Sequence, residues 1–318
     1  MRAVVTGASG FLGGAVARAL VARGDQVLGL DLVAAPAAPF ETVRADLTGP
    51  GDWQARIASA DLVVHAAARV GELGSPAQFR AQNVDATRHV VDASAEAGRL
   101  VHLSSIVVHG RDFPPDCPES HDVQPTGNPY TDTKIAAEHA VFSEVASGRV
   151  RATVVRPGDV YGPGSRQWTV RAVEMLRAGR FALVDGDRGV LAPVFVDDVV
   201  AGILAAAGGE GAVGEAFHLS GPGVSPRVFF GHYARMTGVR LRSVPPRLAR
   251  AVAPVVAAGA RLVGKEPPLS GRTLEYVTHP AAYSTAKAAR VLGWRPAVGL
   301  DEGMARTEAW LRETGRLG

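Results

Sequence analysis

The period of apolar positions changes repeatedly along the chain. MRAVVTG is a short apolar run closing on Thr6-Gly7, FLGGAVARALVARG then repeats apolar residues at helical spacing up to Gly24, and QVLGLDL is a second apolar run. A short unbroken apolar run bounded by turn residues fits a strand buried on both faces, whereas a 3.6-residue period fits a helix. Strand, helix, strand predicts a βαβ unit with a right-handed crossover. The alternation continues. FETVRADL predicts a strand ending at Asp46, DLVVHAAA a strand ending in small residues, and FRAQNVDATRHVVDASAEAG a long helix stopped by Gly98. RLVHLSSIVVHG is a fifth strand, NPYTDTKIAAEHAVFSEVAS a helix, and VRATVVRPGDVYGPG a sixth strand and a turn. A doubly wound parallel sheet is expected through about residue 160. Beyond residue 163 the pattern loosens: the helix WTVRAVEMLRAG precedes short strands near 181–184 and 193–197, the helix DDVVAGILAAA follows, and the last hundred residues mix short elements with prolines. This predicts an α/β chain in which a smaller mixed α/β C-terminal substrate lobe closes over the sheet. Residues 1–162 plus 191–207 are assigned to the sheet domain, and 163–190 plus 208–318 to the lobe.

The first strand-to-helix turn carries Gly7-Ala8-Ser9-Gly10-Phe11-Leu12-Gly13, with spacing G-x-x-G-x-x-G. In this context the glycines have separate uses. Gly7 permits the tight turn, Gly10 lets backbone approach a pyrophosphate, and Gly13 lets helix and strand pack closely. The anion would rest on the N–H groups at the helix start. Asp31 ends the second strand, where a carboxylate accepts hydrogen bonds from an adenosine ribose and repels a 2′-phosphate; no arginine follows to offset that repulsion, which favours NAD over NADP. The sheet is therefore expected to be Rossmann-type and nucleotide-binding. Such sheets bind ligands at the carboxyl ends of their strands, where Asp46, Ala66–Ala68, Ser104–Ser105 and Gly158–Tyr161 all fall.

Composition narrows the classes. The chain has 318 residues, 47% hydrophobic and 20% charged, with net charge +3. Its basic residues form no run of five or six, so no nucleic-acid partner is expected. The single cysteine, Cys117, excludes an intramolecular disulfide and a cysteine-based zinc site. His102, His109 and His218 lack metal-ligand spacing and His65 is expected to be structural, so no metal is predicted. The start of the chain has a strand pattern rather than that of a signal peptide, and no stretch is apolar enough to span a membrane. A cytoplasmic location is expected.

One further stretch bears on chemistry. In NPYTDTK, Asn128 can cap a helix and Pro129 suits its first turn, which places Tyr130 and Lys134 on one face. Alone, Y-x-x-x-K is a common coincidence. A phenol, though, is a usable proton donor or acceptor, and a nearby ammonium would lower its ordinary pKa of about 10.

Together these motifs resemble the extended short-chain dehydrogenase/reductase superfamily of NAD-dependent epimerase/dehydratase type. The match runs nearly the whole chain through TGASGFLG at 6–13, Asp31, ADL at 45–47, HAAA at 65–68, NVDAT at 83–87, SSIVVHG at 104–110, YTDTK at 130–134, RPGDVYGPG at 156–164, VFVDDV at 194–199 and KAARVLGWRP at 287–296. The resemblance implies a catalytic group of Ser105, Tyr130 and Lys134. Ser105 is favoured over Ser104 because it lies five residues before Gly110. Tyr130 would be the acid/base, Lys134 would supply charge and bind the nicotinamide ribose, and Ser105 would hold the substrate oxygen. It also implies NAD contacts at Gly7, Ser9, Gly10, Phe11, Leu12, Gly13, Asp31, Asp46, Leu47, Ala66, Ala67, Ala68, Pro157 and Val160, with Asn83 ordering the loop beneath the site. A homodimer through the helices near 79–97 and 129–147 is likewise implied.

Departures from the family pattern select a branch. Ile106 and Val107 follow Ser105 where 4,6-dehydratases carry an Asp-Glu pair. Leu191 stands where nucleotide-sugar epimerases have a diphosphate-gripping arginine, although Arg188 or Arg166 could substitute. Asp159 replaces an asparagine and would repel an anionic substrate. RLARAVAPVVAAGARLVGKEPPLSG resembles the apolar insertion of 3β-hydroxysteroid dehydrogenase-like members, including its PPL turn. The expected activity is an NAD(H)-dependent interconversion of secondary alcohol and ketone on a hydrophobic, sterol-like or polyketide-like molecule. A nucleotide-sugar 4-epimerase and a non-catalytic NAD-sensing regulator are the alternatives.

Overall fold

The computed structural model describes residues 1–35, 37–184, 189–262, 264–267 and 270–317; Arg188 and the Pro268-Leu269 part of the PPL turn lie outside them. Eleven strands are found among the described residues: β1 (Arg2–Thr6), β2 (Gln26–Asp31), β3 (Glu41–Arg44), β4 (Leu62–His65), β5 (Leu100–Leu103), β6 (Ala152–Pro157), β7 (Asp159–Tyr161), β8 (Leu183–Val184), β9 (Pro193–Phe195), β10 (Ala216–Leu219) and β11 (Ser243–Val244). Seven form one sheet in the order β10-β6-β5-β4-β1-β2-β3, with every pairing parallel. The central strands are apolar because helices cover both faces: β4, β5 and β6 are buried throughout. One core cluster joins Val5, Val16, Leu20, Val64 and Val101 on one side of the sheet, and another joins Val4, Leu30, Val63, Val90 and Val141 on the other. The order reverses between β1 and β4, the switch point where such sheets take a ligand.

Three details differ from the sequence expectation. The strand drawn through Asp46 ends at Arg44, and Asp46 sits in the following turn, pinned by Thr48. The sixth strand breaks at Gly158: β7 leaves the main sheet and pairs with β9, because Asp159 turns to bond Ala192 instead. The boundary drawn at residue 208 also misplaces β10, which pairs with β6 as the sheet's edge strand. Its four residues are too short and too mixed in pattern to announce themselves in the sequence.

The lobe is built from the helices Arg171–Arg177, Pro226–Thr237, Pro246–Leu262 and Gly271–Val277 and the small β8–β11 pair. Edge-to-face contacts among Trp168, Phe229, Phe230 and Tyr233 fix its inner part.

Candidate functional site

At the switch point the three loop glycines are fixed by contact. Gly7 has φ of +68°, and a Cβ there would lie 2.7 Å from the Ala67 backbone nitrogen. At Gly13 a Cβ would lie 2.2 Å from the Gly7 carbonyl oxygen. Gly10 caps the Phe11–Ala22 helix with no side-chain hydrogen bond, and no acidic residue occupies the first turn. Among the described residues neither a capping side chain nor a first-turn carboxylate engages the first N–H groups of this twelve-residue helix, which leaves them able to take an anion. Phe11 and Leu12 are half-buried and Gly13 buried, whereas Ser9 and Gly10 are exposed. Asp31 accepts from the Ser9 N–H at 3.0 Å and the Val33 N–H at 3.3 Å, so it braces the loop. Asp46 is exposed, its carboxyl held below the usual range by the Thr48 hydroxyl and N–H. Leu47 is buried, and its carbonyl faces His89 Nδ1 at 2.9 Å.

The loop after β4 is held by a relay. Thr6 Oγ1 lies 2.7 Å from His65 Nδ1, and His65 Nε2 lies 3.0 Å from Thr87 Oγ1, which donates to the Asn83 carbonyl. Ala67 N–H donates to Thr6 Oγ1. Asn83, buried, accepts the Arg69 N–H at 2.7 Å and donates to the Arg69 carbonyl and Thr133 Oγ1, both at 3.0 Å. It therefore ties the Ala66–Ala68 loop to the helix that carries Tyr130 and Lys134. Burial, and then the Lys134 charge, push the His65 imidazole down to about 3, so it serves this relay neutral.

The catalytic candidates converge at the end of β5. Asn128 accepts the Tyr130 N–H at 3.0 Å, capping the Pro129–Ala146 helix, and Pro129 occupies its first turn. Ser105 caps the short turn Ile106–His109, and its side chain lies near enough to the Tyr130 hydroxyl to oppose the upward shift of that phenol. Ser104 points inward, its Oγ buried with no hydrogen-bond partner among the described residues. Lys134, 4% exposed, donates to the Leu103 carbonyl at 2.7 Å. Burial pushes the Tyr130 phenol up to about 12, with the Ser105 bond opposing, and pushes Lys134 down to about 8, with Glu138 opposing. Burial dominates the Tyr130 phenol, and the expected lowering by Lys134 does not appear beside it.

The residues expected to face a substrate lie on β7 and in the segments beyond it. Pro157 and Val160 are buried, and the Val160 carbonyl accepts Ser165 Oγ at 2.9 Å. Leu191 is buried and bridges to Val224 through backbone bonds. Arg166 is exposed. Asp159, 2% exposed, accepts the Ala192 N–H at 2.8 Å and the Tyr276 hydroxyl at 2.5 Å. Burial raises its carboxyl to about 6 despite both bonds. Sequence reasoning did not find Tyr276, which is 117 residues from Asp159. It also missed the buried pair Arg156–Glu138 and the His109–His218 contact at 2.8 Å beside it. No periodicity or motif marks such partners. Cys117 is buried, with its thiol pushed up to about 11. Among the described residues no group of three ligating side chains could hold a metal.

Comparison with known proteins agrees with this architecture. Residues 3–219 match the model of the NAD dependent epimerase/dehydratase family. The chain is 32% identical to a 2-alkyl-3-oxoalkanoate reductase of Stenotrophomonas maltophilia, over 97% of this chain and 99% of that one. It is 31% identical to a UDP-glucose 4-epimerase of Mycolicibacterium smegmatis, over 98% and 99%. The solved structure of MoeE5 with UDP-glucuronic acid and NAD superposes with a TM-score of 0.79 at 24% identity, covering 99% of this chain and all of that one. A glycine-rich turn between β1 and its helix, an acidic residue at the end of β2 and a family match over two thirds of the length lead to one conclusion: the chain belongs to the NAD dependent epimerase/dehydratase family, the extended short-chain dehydrogenase/reductases, and its cofactor is NAD.

Proposed function

We propose that this protein is an NAD(H)-dependent ketoreductase/alcohol dehydrogenase acting on an apolar, alkyl-bearing or sterol-like molecule. The observation that carries this is the substrate edge. Leu191 occupies the arginine position of sugar epimerases, and the buried Asp159 carboxylate sits beside it. A nucleotide diphosphate placed near there would find no bidentate cation at position 191, and the buried Asp159 carboxylate behind the wall would repel its charge. The relationship to a reductase of alkylated 3-oxo acids supports the same class.

The cofactor supplies or accepts hydride at the reacting carbon. The chain's own groups handle the oxygen and its proton. Ser105 donates a hydrogen bond to the carbonyl oxygen and steadies the charge that grows there. Tyr130, whose phenol keeps its proton at neutral pH, passes that proton to the same oxygen as the carbonyl becomes an alcohol, then regains one from solvent. Lys134, charged below about 8, offsets the transient phenolate. A tyrosine held protonated suits ketone reduction at neutral pH, while oxidation needs the phenolate and is favoured at higher pH.

The lobe of residues 163–190 and most of 208–318 would close on the substrate. A homodimer would form through the adjacent helices Ala86–Ala93 and Pro129–Ala146, whose outer faces expose Arg88, His139 and Ser143.

The test follows NADH while the protein meets apolar ketones and hydroxysteroids in one set and UDP- and dTDP-sugars in another. Net NADH change with the first set is expected. Sugar isomers forming without net NADH change would establish an epimerase instead. Tyr130→Phe should cut turnover by roughly a hundred- to ten-thousand-fold while NAD binding persists. An unchanged response to ligand in that variant would point to a regulator.

A further inference from the structure

The loop after β4 holds a carboxylate that comes from the lobe. Glu266 lies 194 residues along the chain from Glu72, yet both of its side-chain oxygens accept the Glu72 N–H at 3.0 Å. Its Oε1 also accepts the Leu73 N–H at 3.1 Å. Successive backbone N–H groups turned to one concave side make a socket for an anion. Gly71 opens that socket: its φ is +104°, and a Cβ there would lie 2.3 Å from Glu266 Oε1. The lobe side is fixed in turn. Arg171 donates to the Glu266 and Pro267 carbonyls at 3.4 and 2.6 Å. The Glu72 carboxylate accepts the Ser270 hydroxyl at 2.6 Å, and Ser270 caps the Gly271–Val277 helix by accepting the Thr273 N–H.

The loop held in this way leads to the helix that carries Tyr130 and Lys134. The Leu73 carbonyl accepts Arg69 Nε at 3.0 Å. The Arg69 N–H and carbonyl are both bonded to Asn83, at 2.7 and 3.0 Å, and Asn83 donates to Thr133. Leu73 is therefore fixed by the lobe on its N–H side and, on its carbonyl side, by the residue that Asn83 holds. We propose that Glu266 is a positioning residue: by docking in the 71–73 socket it sets the loop after β4 against the catalytic helix, so that the seating of the lobe and the order of the cofactor edge are coupled. A carboxylate suits the task because it brings two acceptor oxygens and a full charge to N–H donors. Aspartate would not reach, because Arg171 pins the backbone at position 266.

Only the turnover part of the test rests on the ketoreductase reading; amide exchange and NADH binding do not. Hydrogen exchange of the full chain, read on peptides covering residues 70–75, reports the contact directly. The Glu72 and Leu73 amides should be protected in the parent and exchange roughly 10- to 100-fold faster in Glu266→Ala. NADH affinity should fall about threefold to tenfold, since binding must then order the loop. For a ketone that the parent reduces, kcat should fall roughly tenfold. Glu266→Asp should behave like Glu266→Ala. Acetate added to Glu266→Ala should fill the vacated space and restore protection and NADH affinity, while chloride at the same ionic strength should not.

The proposal fails if the two amides are unprotected in the parent or stay protected in Glu266→Ala. It also fails if the variant melts at a lower temperature but keeps the parent's NADH affinity and kcat, because the contact would then only fasten the fold. Equal effects of acetate and chloride would overturn the carboxylate socket. A parent that reduces none of the ketones would sink the ketoreductase reading, and exchange and NADH binding would still decide the role of Glu266.

Discussion

Asp159→Asn tests the site's electrostatics most directly. In the folded protein Asp159 titrates near 6 instead of 3.8, because burial penalises its charged form. The folded state therefore holds a proton between those values that the unfolded chain has released, and stability falls as pH rises through this window. A shift of about two units corresponds to roughly 3 kcal/mol once both forms are ionised, about half of it lost between pH 5 and pH 8. Asparagine cannot ionise. Its Oδ1 can accept the Ala192 N–H and its Nδ2 can donate to the Tyr276 oxygen, since a hydroxyl can turn to accept. The stability of the variant relative to the parent should accordingly increase with pH, by on the order of 1.4 kcal/mol from pH 5 to pH 8. Urea unfolding of both proteins across that range measures it. Comparing the pair cancels the buried histidines, which titrate alike in both. A difference that stays flat or shrinks with pH would refute a charged, poorly solvated carboxylate at this position. The same variant should accept oxo acids and nucleotide sugars better relative to neutral ketones.

Two other substitutions probe different layers. Glu138→Gln removes the partner of Arg156, to which Glu138 is bonded at 2.7 and 3.0 Å with both side chains buried; an uncompensated guanidinium should cost about 3 kcal/mol, visible in the urea midpoint. Glu138 also holds the Lys134 pKa up, so the alkaline limb of the pH–rate profile should move to lower pH, and an unmoved limb would detach Lys134 from it. Gly13→Ala places a methyl group 2.2 Å from the Gly7 oxygen, so the loop must open and lose contacts to the pyrophosphate; NADH fluorescence titration should show affinity falling roughly 10- to 100-fold, and unchanged affinity would mean that the loop is not the phosphate cradle.

The sequence by itself determined the parts governed by local rules. Apolar runs and helical periods laid out β1 to β6 and the helices after β1, β4 and β5, because a strand buried on both faces and an amphipathic helix write different periods; the short helix Trp53–Ala58 between β3 and β4 was not read. The glycine loop was legible because backbone that must approach an anion admits no side chain. Tyr130 and Lys134 were legible because four residues make one helical turn. Ser105 was preferred to Ser104 only through its place five residues before Gly110; in the structure Ser105 caps the turn at Ile106–His109, while the Ser104 Oγ is buried with no partner among the described residues. Only tertiary structure decided what joins distant segments: β10 as the sheet's edge, Asn83 tied to Thr133, Tyr276 on Asp159, and Glu138 on Arg156. It decided the pKa order as well. A sequence places an ammonium near a phenol, but desolvation depends on how completely the rest of the chain excludes water, and that exclusion raises Tyr130 instead of lowering it. The outward placement of Leu248, Val252, Val255 and Leu262 on the Pro246–Leu262 helix belongs to the same class, because an apolar helix in sequence does not state which of its faces the fold will use.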